Sequence, residues 1–225
     1  MEMLRKENYN FEDLKEIMRI LRSENGCPWD REQTHKSIRN NFIEEVYEAV
    51  EAIDEENPDL LKEELGDVLL QVVFQAQISS EAEEFDIDGV CDGICKKLII
   101  RHPHIFSDIN PDINSAQVLS NWENIKIKEK GYADAKEYIE STAKSLPALM
   151  RAEKIQKRIV KRKVAEQPSI EDAIKKLRAD LDDLEHSDTK FEAIGRILYD
   201  TVTLANAFDV NSEQALYEFN KKTIK

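Results

Sequence analysis

The sequence predicts an all-α protein, on three observations. Six Gly and six Pro in 225 residues, with 35% charged residues, suit helices better than a turn-rich β fold. Apolar residues recur at three- and four-residue spacing through most of the chain. Capping residues and prolines open those stretches, and no two-residue alternation competes with them.

The elements follow in order. Asn10 reads as an N-cap with Asp13 three residues on, a capping box, and Phe11, Leu14, Ile17, Met18 and Leu21 repeat at helical spacing. Residues 24–36 (ENGCPWDREQTHK), holding Gly26 and Pro28, read as a structured loop. A helix is expected from Ser37 to Asp54, with Ile38, Phe42, Ile43, Val46, Ala49, Val50 and Ile53 in one arc. Asn57 and Pro58 open the next, running to Ser80 and apolar nearly all round from Leu65 onward; such a helix is expected to be buried. Further helices are expected from Asp88 to before Pro103, from Ser115 to Gly131, from Pro147 to Val164, and over 170–185, 190–207 and 212–222. Residues 64–78 (ELGDVLLQVVFQAQI) faintly echo 193–207 (AIGRILYDTVTLANA), which hints at two related helical units. The expected organisation is a catalytic domain over 1–131, a linker over 132–145, and a second, smaller domain over 146–225.

Composition narrows the function. Hydrophobic residues make up 41%, enough for a packed core, and the net charge is −14 from 32 basic and 46 acidic residues. Binding a nucleic-acid polymer needs a basic footprint, so none is expected as partner. A small phosphate compound held through a cation remains compatible. Three cysteines, Cys27, Cys91 and Cys95, make no disulfide framework. Cys91 and Cys95 lack the Cys/His partners of a zinc site and read as small buried apolar side chains. With no signal peptide or apolar membrane-spanning run, a cytoplasmic protein with no membrane association is expected.

The informative constellation is acidic: Glu44, Glu45 and Glu48 on helix 37–54, with Glu63, Glu64 and Asp67 on helix 58–80. Glu45 and Glu48 share a face at i,i+3 and border the apolar arc. Counted from Glu64, Asp67 lies at about −60°, Gln71 at about −20° and Gln75 at about +20°. These four form a polar stripe on an otherwise apolar helix. One i,i+3 acidic pair is ordinary surface decoration; two, on adjacent helices and each beside an apolar face, are not. Converging carboxylates repel and raise each other's pKa values, which a divalent cation resolves, and hard oxygen ligands suit Mg²⁺, with Mn²⁺ as a substitute. A di-iron bundle wants Glu-x-x-His on two helices, and neither helix carries it. EF-hand, P-loop and dinucleotide signatures are absent. Glu63-Glu64-Leu65-Gly66 matches the Nudix box only in part, without its upstream Gly and Arg-Glu step.

At these residues the chain resembles the MazG nucleotide pyrophosphohydrolase family, marked by E-x-x-E, a spacer and E-x-x-D. Here that reads Glu45-Val-Tyr-Glu48, residues 49–63, then Glu64-Leu-Gly-Asp67. GCPWDREQTH (26–35), RHPHIF (101–106), Trp122 with Lys126 in NWENIK, and SLPALMRAEKIQKR (145–158) agree in the same order. The resemblance implies an all-α fold whose helices dimerise around the active sites, and Mg²⁺-dependent hydrolysis of nucleoside triphosphates to monophosphate and pyrophosphate. It implies that Glu45, Glu48, Glu64 and Asp67 hold Mg²⁺, that Lys97, Arg101 and Lys126 neutralise phosphates, and that Trp122 lies beside the nucleotide. Glu44 is a candidate to orient the attacking water. His102 and His104, flanking Pro103, read as structural. The alternative is a non-catalytic helical dimer that binds nucleotides or a protein partner.

Two departures from the family pattern stand out. Ile100 occupies a place where the family often has a second Arg before His-Pro-His. In the second unit E-x-x-E becomes Asp180-Leu-Asp-Asp183, and E-x-x-D becomes Ala193-Ile-Gly-Arg196. A cation stands where a ligand should be, and the chain ends before a helix equivalent to the one carrying Trp122. The expectation is a degenerate unit without catalytic metal. The basic run Lys154, Lys157, Arg158, Lys161, Arg162 and Lys163 reads as a solvated helix face.

Overall fold

The computed structural model describes residues 6–107 and 112–223, and the described residues form twelve helices and no strand. They group into two compact units, Met1–Ile113 and Asn114–Lys225.

The first unit holds α1 (Phe11–Leu21), α2 (Pro28–Glu32), α3 (Arg39–Asp54), α4 (Pro58–Glu81), α5 (Ile87–Arg101) and α6 (Pro103–Phe106). The expected capping box forms: the Asp13 amide donates to Asn10 Oδ1 at 3.2 Å, and the Asn10 amide to Asp13 Oδ2 at 3.0 Å. Helix α3 starts two residues later than expected, because Thr34 and Ser37 fold into a turn with reciprocal bonds between amide and hydroxyl at 2.8 and 3.2 Å. Its partner α4 begins at Pro58 behind the Asn57 cap, as expected. The packing of α3 along α4 is the most extensive in the unit, with α1 and α5 also laid on α4.

The core of this unit is Met18, Ile38, Val73 and Phe74, flanked by Leu14, Leu70, Ile78 and Ile87. Each such side chain contributes about 1.5–3 kcal/mol on burial. Two expectations are corrected here. Helix α4 is not covered all round: Leu65 and Leu69 are 54% and 40% exposed. Cys91 and Cys95 are exposed rather than buried, because the α5 residues beside them, Val90, Ile94 and Leu98, are uncovered too. On α3, Ile43, Val46, Val50 and Ile53 are likewise exposed. Among the described residues, apolar side chains on each of α3, α4 and α5 are left uncovered.

The second unit holds α7 (Ser115–Lys130), α8 (Ala135–Glu140), α9 (Ala148–Lys161), α10 (Ile170–Asp183), α11 (Lys190–Ala207) and α12 (Ser212–Thr223). Gly131 at φ 64° ends α7 in the left-handed conformation that glycine adopts without Cβ strain. Helix α9 stops at Lys161, short of the expected Val164, because Lys163 takes φ 54° and reverses the chain. Helix α10 packs along α11, which packs on α9.

The grouping differs from the expected division at 131. Part of the expected linker, Ala135–Glu140, is helical, started by the Asp134 side chain accepting from the Glu137 amide at 2.8 Å. Tyr138 on that helix is buried, donates its hydroxyl to Glu123 of α7, and lies 4.4 Å beneath the Arg158 guanidinium of α9. These contacts gather α7, α8 and α9 into one unit, so Trp122 and Lys126 pack with the second unit.

Candidate metal centre

Helix α3 packs along α4, and Ala49 and Ala52 of α3 are buried, small side chains that allow helices to lie close. That approach brings the acidic positions together. One carboxylate oxygen each of Glu45, Glu48 and Glu64 lie within 4.8 Å of one another. Glu64 is buried, Glu45 half-buried and Glu48 exposed. The half-buried Asp67 stands outside the tight triplet.

The electrostatics are those of a crowded anion site. Desolvation pushes the Glu45 carboxyl above its ordinary range, and the charges of Asp67, Glu48, Glu64 and Glu44 push it further. Desolvation raises Glu64 as well, followed by the charges of Glu48, Asp67 and Glu63 and by a hydrogen bond with Glu48. Two carboxylates can share a hydrogen bond only when one holds a proton, which is how the cluster relieves its own repulsion. The donor set is all oxygen, and oxygens this close fit one hard divalent cation such as Mg²⁺ or Mn²⁺. Such an ion would replace the shared proton.

The stripe on α4 continues beyond the carboxylates. Gln71 is buried and its Oε1 has no partner. One turn on, Gln75 Oε1 bonds His35 Nδ1, and His35 Nε2 meets Ser79 Oγ at 3.2 Å, which in turn donates to Glu84 at 3.2 Å. The loop carrying His35 is fixed from behind. Arg22 bonds the carbonyls of Asp30 and Gln33, pairs with Glu81 at 2.6 Å and stacks 5.4 Å from the Phe74 ring centre. Gly26 passes so close to the end of α1 that a Cβ there would sit 2.2 Å from the Leu21 carbonyl oxygen. The sequence reading did not single out His35 or Ser79. Their one signal was a histidine at the end of a structured loop beside a helix with a glutamine stripe.

The other expected residues fall as follows. Glu44 is exposed on α3. Lys97, exposed, and Arg101, buried, stand one turn apart at the C-terminal end of α5, where the helix dipole favours cations. Lys126 rests its ammonium 5.1 Å from the Trp122 ring centre on α7. His102 Nδ1 meets the Leu98 carbonyl at 2.6 Å, and the His102 and His104 rings lie 5.7 Å apart.

In the second unit the equivalent acidic positions, Asp180 and Asp183, face internal cations, and so does Asp200, which stands where the first unit has Gln71. Lys176 Nζ stands 2.5 Å from Asp200 and 3.0 Å from Asp180, and Arg196 lies 3.7 Å from Asp183. Desolvation raises the buried Asp200, while its hydrogen bond to Asp180 and the Lys176 ammonium hold Asp180 down.

An all-helical protein with paired acidic helix positions converging on a cation-sized point defines a class, and comparison with known proteins gives the family. The MazG nucleotide pyrophosphohydrolase domain matches residues 33–106. The chain is 41% identical over 221 residues to the nucleoside triphosphate pyrophosphohydrolase/pyrophosphatase MazG of Thermotoga maritima, covering 96% of this chain and 83% of that protein. It is 39% identical over 215 residues to the nucleoside triphosphate pyrophosphohydrolase of Escherichia coli K12, covering 92% and 81%. It is 48% identical over 149 residues to the uncharacterized protein YabN of Bacillus subtilis, covering 66% of this chain but 30% of that protein. The chain belongs to the MazG nucleotide pyrophosphohydrolase family and is accordingly a hydrolase.

Proposed function

We propose that the first unit hydrolyses nucleoside triphosphates to nucleoside monophosphate and pyrophosphate, with Glu45, Glu48, Glu64 and Asp67 as ligands of Mg²⁺. The observation that carries this is the convergence of Glu45, Glu48 and Glu64 within 4.8 Å, in a chain whose relatives bear pyrophosphohydrolase names. Held by these carboxylates, Mg²⁺ would supply charge neutralisation and lower the pKa of a water.

The chain's own residues supply the rest. Phosphoryl transfer needs positioning and charge neutralisation more than covalent participation. Glu44, exposed beside the cluster on α3, would accept a proton from the attacking water. Lys97 and Arg101 would balance the charge that develops on the leaving pyrophosphate. Trp122 and Lys126 are carried over from the family resemblance as nucleotide contacts. The uncovered apolar side chains of α3, α4 and α5 support a homodimer, since exposed apolar surface on neighbouring helices is what an interface covers. No described helix is long and apolar enough to cross a membrane, and the reading puts the enzyme in the cytosol, among its substrates. House-cleaning of non-canonical nucleotides and control of triphosphate pools are both served by this reaction.

The test is a product assay with ATP, GTP, CTP, UTP, dUTP and dITP, in Mg²⁺ or EDTA, resolving pyrophosphate from orthophosphate. Monophosphate plus pyrophosphate is expected, abolished by EDTA and reduced more than about a hundredfold in Glu48→Gln, since even outer-shell changes at metal sites cost 10–100-fold. Orthophosphate plus diphosphate would assign a different hydrolase. No turnover with any substrate would favour the non-catalytic nucleotide-binding or partner-binding dimer.

A further inference from the structure

The basic run at α9 is largely the solvated face its sequence suggests, with Lys154, Lys157, Lys161, Arg162 and Lys163 exposed, but Arg158 within it is buried. Lys154, Lys157 and Lys161 form one stripe at i, i+3 and i+7, and with Lys126 of α7 and Arg158 they line a cleft of about 310 Å³ within the second unit. That volume is at the small end of ligand-sized pockets, about 300–1,000 Å³. Five cations converge there in a chain of net charge −14. Among the described residues no carboxylate forms an ion pair with Lys126, Lys154 or Lys161.

The floor of the cleft is built rather than incidental. Arg158, 9% exposed, donates to the Tyr138 carbonyl at 2.5 Å and to Ser141 Oγ at 2.8 Å, with its guanidinium over the Tyr138 ring. Five cations share the cleft with two carboxylates, Glu123 and Glu153, which leaves it net positive. The two carboxylates in the wall are engaged. Glu123 accepts the Tyr138 hydroxyl, and Glu153 accepts from Lys157 at 2.6 Å, its second oxygen being buried without a partner. No aromatic face is open to stack a base, because Tyr138 is 2% exposed. What the cleft offers is three ammonium groups along one helix face, with Lys126 and Arg158 beside them.

We propose that this cleft between α7, α8 and α9 is a second anion site, which takes a polyphosphate chain, free or as the tail of a nucleotide, without a metal ion. It shares no carboxylate with the acidic cluster of the first unit, and of the residues named under the proposed function it takes in Lys126 alone.

The experiment is calorimetric titration of the full chain with inorganic tripolyphosphate in EDTA, which removes any metal-bridged binding at the carboxylates. Saturable binding near one per chain is expected, weakening steeply as salt rises. Lys154→Glu with Lys161→Glu is expected to weaken it more than tenfold, and Lys154→Gln with Lys161→Gln by a smaller factor. The control Lys175→Glu, on α10, should leave it unchanged. Circular dichroism checks that each variant folds, and the glutamine pair keeps the test usable where the charge reversal does not fold. ATP binding in EDTA as tightly as tripolyphosphate supports recognition of the phosphate chain. The proposal is overturned by no saturable tripolyphosphate binding, by binding indifferent to the lysine pairs, or by single-stranded RNA binding that outcompetes tripolyphosphate. Because no turnover is read, these outcomes stand apart from those of the product assay.

Discussion

Replacing Tyr138 by Phe removes one oxygen and isolates one interaction. The ring stays, so its contact with Arg158 at 4.4 Å and its edge contact with Tyr132 at 5.5 Å persist. What disappears is the hydroxyl donated to Glu123. A hydrogen bond to a charged group contributes about 1.5–3 kcal/mol net. Burial alone would raise Glu123, but the Tyr138 hydroxyl and then Lys161, Lys126 and Arg158 bring it below the ordinary carboxylate range. Those cations remain in the variant and offset part of the loss, so the low end, about 1.5 kcal/mol, is expected. At about 2–4 °C per kcal/mol for a chain of this size, Tm should fall by about 3–6 °C. Tyr138→Ala also removes the platform under Arg158 and should cost about 3–5 kcal/mol, while Tyr132→Phe should change little. There is a pH arm too. Desolvation first, then the bond to Glu123, pushes the Tyr138 phenol up to about 12. The unfolded phenol ionises near its ordinary 10, so this contribution is complete below about pH 10 and is lost as pH rises towards 12. Thermal unfolding by circular dichroism, wild type against Tyr138→Phe between pH 7 and 11, reads both. An unchanged Tm at pH 7 would refute the reasoning that this hydroxyl ties α8 to α7.

Three further outcomes are expected. In EDTA, Glu45 and Glu64 carry folded pKa values above their ordinary 4.5. Their contribution to stability is therefore full below about pH 4.5 and is lost as pH rises through the folded values; differential scanning fluorimetry should find Glu45→Gln with Glu64→Gln more stable than wild type in EDTA at pH 7, and wild type alone should gain stability from Mg²⁺. Lys176→Met leaves the buried Asp200 beside Asp180 without a cation; because the lysine head is 61% exposed, the cost should fall between that of an exposed and a buried ion pair, about 1–2 kcal/mol, readable as a urea midpoint shift. Light scattering at micromolar concentration should give about twice 26.0 kDa, and Ile94→Glu, on the uncovered face of α5, should return the single-chain mass.

Much of the fold was legible because its signals are local. Asn10 with Asp13, Asn57 before Pro58, and Gly131 after Lys130 each act within one helical turn, and the helix ends fell at or near them. The stripe from Glu64 to Gln75 was legible for the same reason, since it follows from helical geometry alone. What was not legible depends on partners distant in sequence. Asp134 is a capping residue that opens only six helical residues, too short a stretch for periodicity, and the burial of Tyr138 needs Glu123 and Arg158. The exposure of Cys91 and Cys95 depends on which face of α5 a neighbour covers. Lys154, Lys157 and Lys161 share a helix face in the sequence, but only the presence of Lys126 opposite turns that face into a cleft.

Lys176 makes a wider point about the two units. In both, acidic side chains on a helix pair are pressed together and need positive charge between them. On the proposed function, the first unit leaves that need to a diffusible ion, whose occupancy would follow its concentration. The second meets it with an ammonium on the same helix, two to three ångströms from both partners, which neither a chelator nor dilution removes. On that reading one half of the chain would respond to divalent-ion supply, while the other half carries its counter-charge in its own sequence.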